Sequence, residues 1–166
     1  MKKIIFILMI FLFGGCASWQ SMLSFGLFKT KSEKQEEALK AKCDEKDEIS
    51  CNNLAVIYSN DEYFDDAKKY YEISCDLGLA TACSNLGQIY EKGLGGTDSD
   101  MQKATQLYEK SCDSEDGVGC YNMALLLYKT SSNELKEQNA IKAFELLEKS
   151  CKFEYKQACF LLEKLK

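Results

Sequence analysis

Histidine and proline are absent from the 166 residues, and tryptophan occurs once. Without histidine there is no Ser-His-Asp or Cys-His catalytic pair, and no imidazole to hold a metal. Without proline the connections must turn on glycine and short polar residues. A basic excess is missing as well. The formal charge is −5, and a surface of that sign repels phosphate backbones, which excludes nucleic acid as a partner. Long apolar runs are lacking too: Ile4–Phe13, ten residues, is too short to span a bilayer comfortably. What the chain has in quantity is cysteine, nine in all.

Eight of the nine form four C-x7-C pairs, Cys43/Cys51, Cys75/Cys83, Cys112/Cys120 and Cys151/Cys159, recurring at steps of 32, 37 and 39 residues. A recurring motif at a near-fixed period is the signature of a repeat array. Helical periodicity surrounds each pair. Three residues after the second cysteine stand Leu54, Leu86, Met123 and Leu162; six after it stand Ile57, Ile89, Leu126 and Leu165. The fourth position is small in three units (Ala55, Gly87, Ala124), which lets another helix approach closely. Before the first cysteine, Ala67, Ala104 and Ala143 lie eight residues back, with Tyr70, Leu107 and Leu146 five back and Tyr71, Tyr108 and Leu147 four back. Each unit thus predicts two amphipathic helices. The tyrosines Tyr58, Tyr70, Tyr71, Tyr90 and Tyr108 are expected in the core.

The two cysteines of a pair cannot share one helix. Eight residues at ~1.5 Å each separate their Cα atoms by about 12 Å, and a disulfide spans at most ~7 Å. If the pairs bond, the chain turns between them, and Asp76-Leu77-Gly78 and Asp113-Ser114-Glu115-Asp116-Gly117 are turn-formers. Eight cysteines allow 105 connectivities; repeat symmetry and short spacing favour the local one. The expected helices are Glu33–Cys43, then the pairs 49–59 with 62–75, 82–92 with 100–112 and 118–130 with 137–151, and a closing helix Gln157–Lys166 whose lysines suit a polar cap. The connections inside the three pairs differ in length, from Ser59-Asn60-Asp61 to Thr130-Ser131-Ser132-Asn133, which accounts for the uneven period.

The run Ala82-Cys83-Ser84-Asn85-Leu86-Gly87-Gln88-Ile89-Tyr90-Glu91-Lys92-Gly93-Leu94-Gly95, followed by Lys103-Ala104 and Leu107-Tyr108-Glu109-Lys110-Ser111-Cys112, resembles the Sel1-like repeat. A cysteine pair in every unit, and the end Lys149-Ser150-Cys151-Lys152 to Ala158-Cys159-Phe160-Leu161-Leu162, are similar to the Helicobacter cysteine-rich protein family. The resemblance spans about residues 43–166. It implies an all-α fold, an αα-repeat solenoid of Sel1-like or tetratricopeptide-like kind with one disulfide per repeat. Only the middle unit carries that family's Gly-x-Gly loop, with Gly96 where valine is usual; the first unit lacks the loop.

The leader is organised separately. Met1-Lys2-Lys3 and Ile4–Phe13 read as a signal peptide over residues 1–15. Leu12-Phe13-Gly14-Gly15-Cys16 resembles a bacterial lipobox, departing from it in having Phe13 three residues before the cysteine. Cys16 is then the acylated first residue of a tether over 16–32, ahead of a repeat domain over 33–166. Ala17 follows it, so the aspartate that retains many lipoproteins in the inner membrane is absent. The expected location is the periplasm or cell surface, as an outer-membrane lipoprotein, with secretion as the alternative. Export suits disulfides, and loss of the leader carries the charge from −5 to −7 by removing two lysines and no acid. The apolar stretch Trp19–Phe28 has two open readings: insertion at the membrane interface, or packing on the end of the first unit.

The cysteine-rich family is described in part as penicillin-binding or β-lactamase-like, and the resemblance implies that activity as an alternative function. The residues give it little support. No serine has lysine three positions on, and Lys29-Thr30-Lys31 and Lys129-Thr130-Ser131 both lack the glycine of K-T-G. No catalytic residue, metal ligand or cofactor is assigned. The leading expectation is a monomeric scaffold that binds a peptide, a protein or a peptidoglycan fragment, held to the membrane by its lipid. One polar position recurs on the first helix of each unit, two residues after the cysteine: Asn53, Asn85 and Asn122. An amide both donates and accepts, so such a row can grip an extended backbone. It can equally bond the neighbouring helix and fix the stacking, as buried polar groups usually do.

Overall fold

A computed structural model describes residues 30–130 and 136–165. The leader, Cys16, the stretch 19–28 and residues 131–135 lie outside the described residues. The chain divides into two units, 1–37 and 38–166. In the first, Thr30 and Glu33 form a reciprocal capping box, each side chain accepting from the other's backbone N–H at 3.2 and 2.7 Å. It opens helix α1, Lys31–Asp44.

Seven more helices follow: α2 Glu48–Asn60, α3 Phe64–Asp76, α4 Ala80–Lys92, α5 Met101–Asp113, α6 Gly117–Thr130, α7 Lys136–Lys152 and α8 Lys156–Leu165. Every expected helix is present, and no end is moved by more than two residues. Each helix from α2 to α8 packs on its neighbour in the chain, so α2/α3, α4/α5 and α6/α7 form hairpins that stack in order. Among the described residues there is no strand, and no helix is long and apolar enough to cross a membrane.

All four local disulfides are formed, with Cα–Cα distances of 4.7, 4.7, 4.5 and 4.8 Å. Each joins the end of one unit's second helix to the start of the next unit's first helix. The turn that permits this has one design in all four places. The third residue after the first cysteine is left-handed: Lys46, Gly78, Glu115 and Glu154, with φ of 67, 104, 62 and 62°. The residue after it donates back to the carbonyl five positions earlier, as in Asp47 to Lys42 and Tyr155 to Ser150 at 3.1 and 3.2 Å. That closure satisfies carbonyls the helix end leaves free. Only one unit uses glycine for it. Gly117, read in the sequence as part of a turn, is instead the first residue of α6.

The core follows the repeat. Leu54, Leu86, Met123 and Leu162 are buried, as are Ala67, Ala104 and Ala143. Tyr70, Tyr71, Tyr90 and Tyr108 are buried, Tyr58 is half-buried, and Tyr58 stacks on Tyr70 with ring centroids 5.6 Å apart. Gly87 has its small size for a reason: a Cβ there would stand 2.6 Å from the Tyr108 ring. The core has two parts, a large one from Cys43 to Leu126 and a small one of Ala124, Ala143, Leu147, Ala158 and Leu162.

One expectation fails at the C-terminal end. Leu165 occupies the position that buries Ile89 and Leu126, yet it is 58% exposed, and so is Phe160. The cap is therefore not simply polar. On α8, residues patterned for a core thus face outward. Lys164 shields part of the surface by lying over the Phe160 ring at 4.3 Å.

Candidate binding face

The first helices of successive hairpins touch one another. Asn85 Nδ2 on α4 donates to Asn52 Oδ1 on α2 at 3.4 Å, and α4 packs directly on α6, where Lys129 Nζ donates to Glu91 Oε1 at 3.3 Å. The second helices are linked differently. Lys110 on α5 donates to the Cys75 carbonyl at the end of α3 at 3.1 Å, and Lys149 on α7 reaches Asp113 at the end of α5 at 3.3 Å. A cation at the C-terminal end of a helix is favourable to its dipole. These exposed pairs mainly set the register between units.

Between the two rows runs a part-buried polar seam. Tyr90 on α4 donates to Glu72 on α3 at 2.9 Å and accepts from Lys103 on α5 at 2.7 Å. The Lys103 ammonium also lies 4.1 Å from the Tyr90 ring centroid. The hydrogen bond to Tyr90, more than the nearby carboxylates, raises the Lys103 pKa. Tyr108, fully buried on α5, donates to Glu91 Oε2 at 2.9 Å. Burial first, and the Glu91 carboxylate second, push its hydroxyl well above the ordinary tyrosine pKa. Every hydroxyl in the seam is satisfied, so it holds three helices together and offers no free nucleophile.

The three asparagines of the sequence pattern fare differently. Asn53 is exposed and Asn85 half-buried; the partner of Asn85 is Asn52, one residue from the equivalent position on the preceding unit. Asn122 on α6 is half-buried, and its Nδ2 is shielded from solvent without any hydrogen-bond partner, the one such side-chain atom among the described residues. A buried donor left unpaired costs about 1–3 kcal/mol. Beside it along α6, at helical spacing, Leu125 and Tyr128 are 42% and 67% exposed. The equivalent α4 positions, Gln88 and Glu91, are half-buried and polar. The face of the first helices is thus an amide row that becomes apolar at its third unit.

A cleft of about 230 Å³ lies elsewhere, where the α2–α3 turn meets the glycine loop of the next unit; it is lined by Glu62, Tyr63, Phe64, Asp65, Asp66 and Gly95. Gly95 has no room for a side chain, since a Cβ would meet the Phe64 carbonyl oxygen at 2.7 Å. Three carboxylates give the cleft negative potential. Among the described residues no group of three or more His, Cys, Asp or Glu is placed to hold a metal.

The feature that reading of the sequence missed is the serine before the cysteine. Ser74, Ser111 and Ser150 are fully buried. Ser74 Oγ donates to the Glu48 carbonyl at 2.7 Å and Ser150 Oγ to the Gly117 carbonyl at 2.6 Å, in each case tying the end of a hairpin to its own beginning. The Ser-Cys dipeptide recurs in all three units and was the available signal.

Comparison with known proteins follows the same lines. The Sel1 repeat profile matches residues 49–79, 80–116 and 117–152. The chain is 36% identical over 93 residues to cytochrome c oxidase assembly factor 7A of Xenopus laevis, which is 52% of this chain and 40% of that one. It is 28% identical over 123 residues to cytochrome c oxidase assembly factor 7 of Mus musculus, 71% of this chain and 53% of that one. The chain thus spans about half the length, or less, of these curated relatives. Among solved structures, a protective antigen of uropathogenic Escherichia coli displaying an SLR fold superposes with a TM-score of 0.68 at 21% identity, covering 76% of this chain and 27% of that one. Helicobacter pylori cysteine rich protein B superposes with a TM-score of 0.57 at 24% identity, covering 89% of this chain and all of that one. At such identities the structural likenesses speak for the fold alone. With three consecutive matches over most of the array and a disulfide at every unit boundary, the chain belongs to the Sel1 repeat family.

Proposed function

We propose that the protein is an exported, lipid-anchored scaffold whose first-helix face binds an extended segment of a partner protein. The observation that carries this is the unpaired, solvent-shielded Nδ2 of Asn122 next to exposed Leu125 and Tyr128. Turned outward, the half-buried Asn122 side chain would offer its amide to a passing backbone carbonyl, and an apolar side chain of the same segment would cover the leucine and tyrosine. A protein partner also suits Sel1 repeats, which generally mediate protein–protein contact. The name of the curated relatives, assembly factors, points the same way.

The test is selection of phage-displayed peptides on the oxidised protein. Peptides that bind the parent and lose tenfold or more on Asn122→Leu, and again on Tyr128→Ser, support the face. Selected peptides indifferent to both substitutions would overturn it. Anchoring is tested separately: palmitate labelling and detergent-phase partitioning should vanish in Cys16→Ser, and unchanged labelling would remove the lipid from the proposal.

A peptidoglycan fragment or a β-lactam fits less well. Both carry carboxylates, and the cleft lined by Glu62, Asp65 and Asp66 repels them. Purified protein is expected to turn over nitrocefin no faster than a denatured control. A steady rate abolished by one point substitution would reinstate the hydrolase.

A further inference from the structure

The four disulfides close loops of the same length, each with a sequence separation of 8, so chain connectivity does not distinguish them. Burial does. Cys43, Cys51, Cys75, Cys83, Cys112 and Cys120 are each at most 4% exposed, whereas Cys151 and Cys159 are both half-buried. The contact from the second cysteine's Sγ to the first cysteine's carbonyl repeats the distinction. It is buried in the first three bridges and part-buried in the fourth.

The element held by the fourth bridge is also the least secured. Helix α8 has ten residues, the fewest of the eight helices among the described residues. It buries Ala158 and Leu162 in the small core cluster, against Ala124, Ala143 and Leu147, with Leu161 partly buried beside them, and leaves Phe160 and Leu165 outside. Two buried apolar side chains are a weak hold for a helix by themselves. The covalent link supplies the rest.

We infer that Cys151–Cys159 is a thiol-operated latch on α8, opened by an external dithiol while the other three bridges stay closed. Exchange requires a thiolate to reach a disulfide sulfur, and the fourth bridge, half-buried where the other three are buried, is the most accessible of the four. One thiolate of the dithiol attacks one cysteine sulfur, and the S–S bond breaks to give a mixed disulfide and a cysteine thiolate. The second thiolate then displaces the other cysteine. The reductant leaves as its cyclic disulfide, and its two protons remain on Cys151 and Cys159. Freed from the bridge, α8 lifts off and uncovers the apolar stripe of Ala143 and Leu147 on α7. This inference stands independently of the binding face and needs only the oxidised chain.

The experiment is partial reduction of the native, oxidised full chain with dithiothreitol, followed by trapping with iodoacetamide and peptide mapping. Cys151 and Cys159 should be labelled at least tenfold faster than the other six of the paired cysteines. Equal labelling of all eight, or earlier labelling of another pair, would overturn the order of opening. Hydrogen exchange on a Cys151→Ser, Cys159→Ser double variant tests the latch itself. Faster exchange confined to α8 and the facing side of α7 supports it, and amides of α8 protected as in the parent would refute it.

Discussion

Ser150 Oγ donates a 2.6 Å hydrogen bond to the carbonyl of Gly117, the first residue of α6 and 33 positions earlier. The bond joins the last turn of a hairpin's second helix to the first turn of its first. Cys151 then joins that same turn to the next helix, α8. A Ser-Cys dipeptide thus closes a unit with one residue and extends the array with the next. Ser74-Cys75 does the same with Glu48 and Cys83.

Ser74→Ala and Ser150→Ala should each lower stability by about 1 kcal/mol, the net worth of a typical intramolecular hydrogen bond, because the bonded carbonyl sits at a packed helix start. Urea unfolding with an unchanged slope measures it. No effect from either substitution would show that the carbonyls are satisfied without the serine. Ser111 is the variant case. It bonds Asp116 Oδ2 at 2.7 Å, and a Cβ on Gly119 would meet the Cys112 nitrogen at 2.9 Å. Gly119→Ala should therefore cost about 1–3 kcal/mol through overpacking.

The turns between cysteines make a prediction of opposite sign. A left-handed conformation costs a non-glycine residue roughly 1–2 kcal/mol, while glycine adds chain entropy to the unfolded state at about 0.4–1 kcal/mol. Glu115→Gly and Glu154→Gly, at φ of 62° in both cases, should raise stability by up to about 1 kcal/mol. Gly78→Glu should lower it by a similar amount. The measurement is the thermal midpoint of each purified variant, and a lowered midpoint for both glycine replacements would contradict the shared turn geometry.

These two features explain where the sequence was readable and where it was not. The helices, their order and the disulfides were legible because apolar spacing and cysteine spacing are geometric constraints written in single positions. Cys43 and Cys51 cannot bond unless the chain turns. The left-handed residues were hidden, since Lys46, Glu115 and Glu154 carry no side-chain signal for that conformation; only Gly78 did. The asparagine row was visible as a pattern but not in its pairing. Asn85 meets Asn52 and not Asn53, because contact depends on how two helices are rotated against each other. Leu165 was misplaced for a related reason. Its spacing marks a core position, and spacing does not say what packs against that position.

Alkaline stability should depend on the buried tyrosines. The pKa of Tyr108 is raised from the ordinary 10.0 by burial and then by Glu91; that of Tyr71 is raised by burial, and that of Tyr155 by burial and by its neighbours Tyr121 and Asp116. In the unfolded chain these groups ionise near the ordinary value, and in the folded one they ionise at higher pH, Tyr108 most strongly so. The folded state therefore binds more protons above pH 10. Stability should be level below that pH and fall above it, by about 1.4 kcal/mol per pH unit for each tyrosine that stays protonated. Urea midpoints between pH 9 and 11 check this. Tyr108→Phe should flatten the fall, and an equally steep fall in that variant would exclude Tyr108 as a contributor.

The disulfides allow the sharpest comparison, because their loops are equal. On the chain-entropy model each bridge of sequence separation 8 contributes about 2.5 kcal/mol, the same for all four. Differences between double cysteine-to-alanine variants then report the native context alone. In a stacked array each unit contacts only its neighbours, so loss at an end disturbs one interface and loss in the middle disturbs two. Removing Cys75 and Cys83, which lie between two hairpins in the large core, should cost more than removing Cys151 and Cys159, which tie down only α8. Calorimetry of the two double variants, each with its other three bridges intact, decides it. Equal losses would mean that the bridges act on the unfolded chain alone, and a larger loss at the C-terminal bridge would mean that α8 supports the array rather than hanging from it.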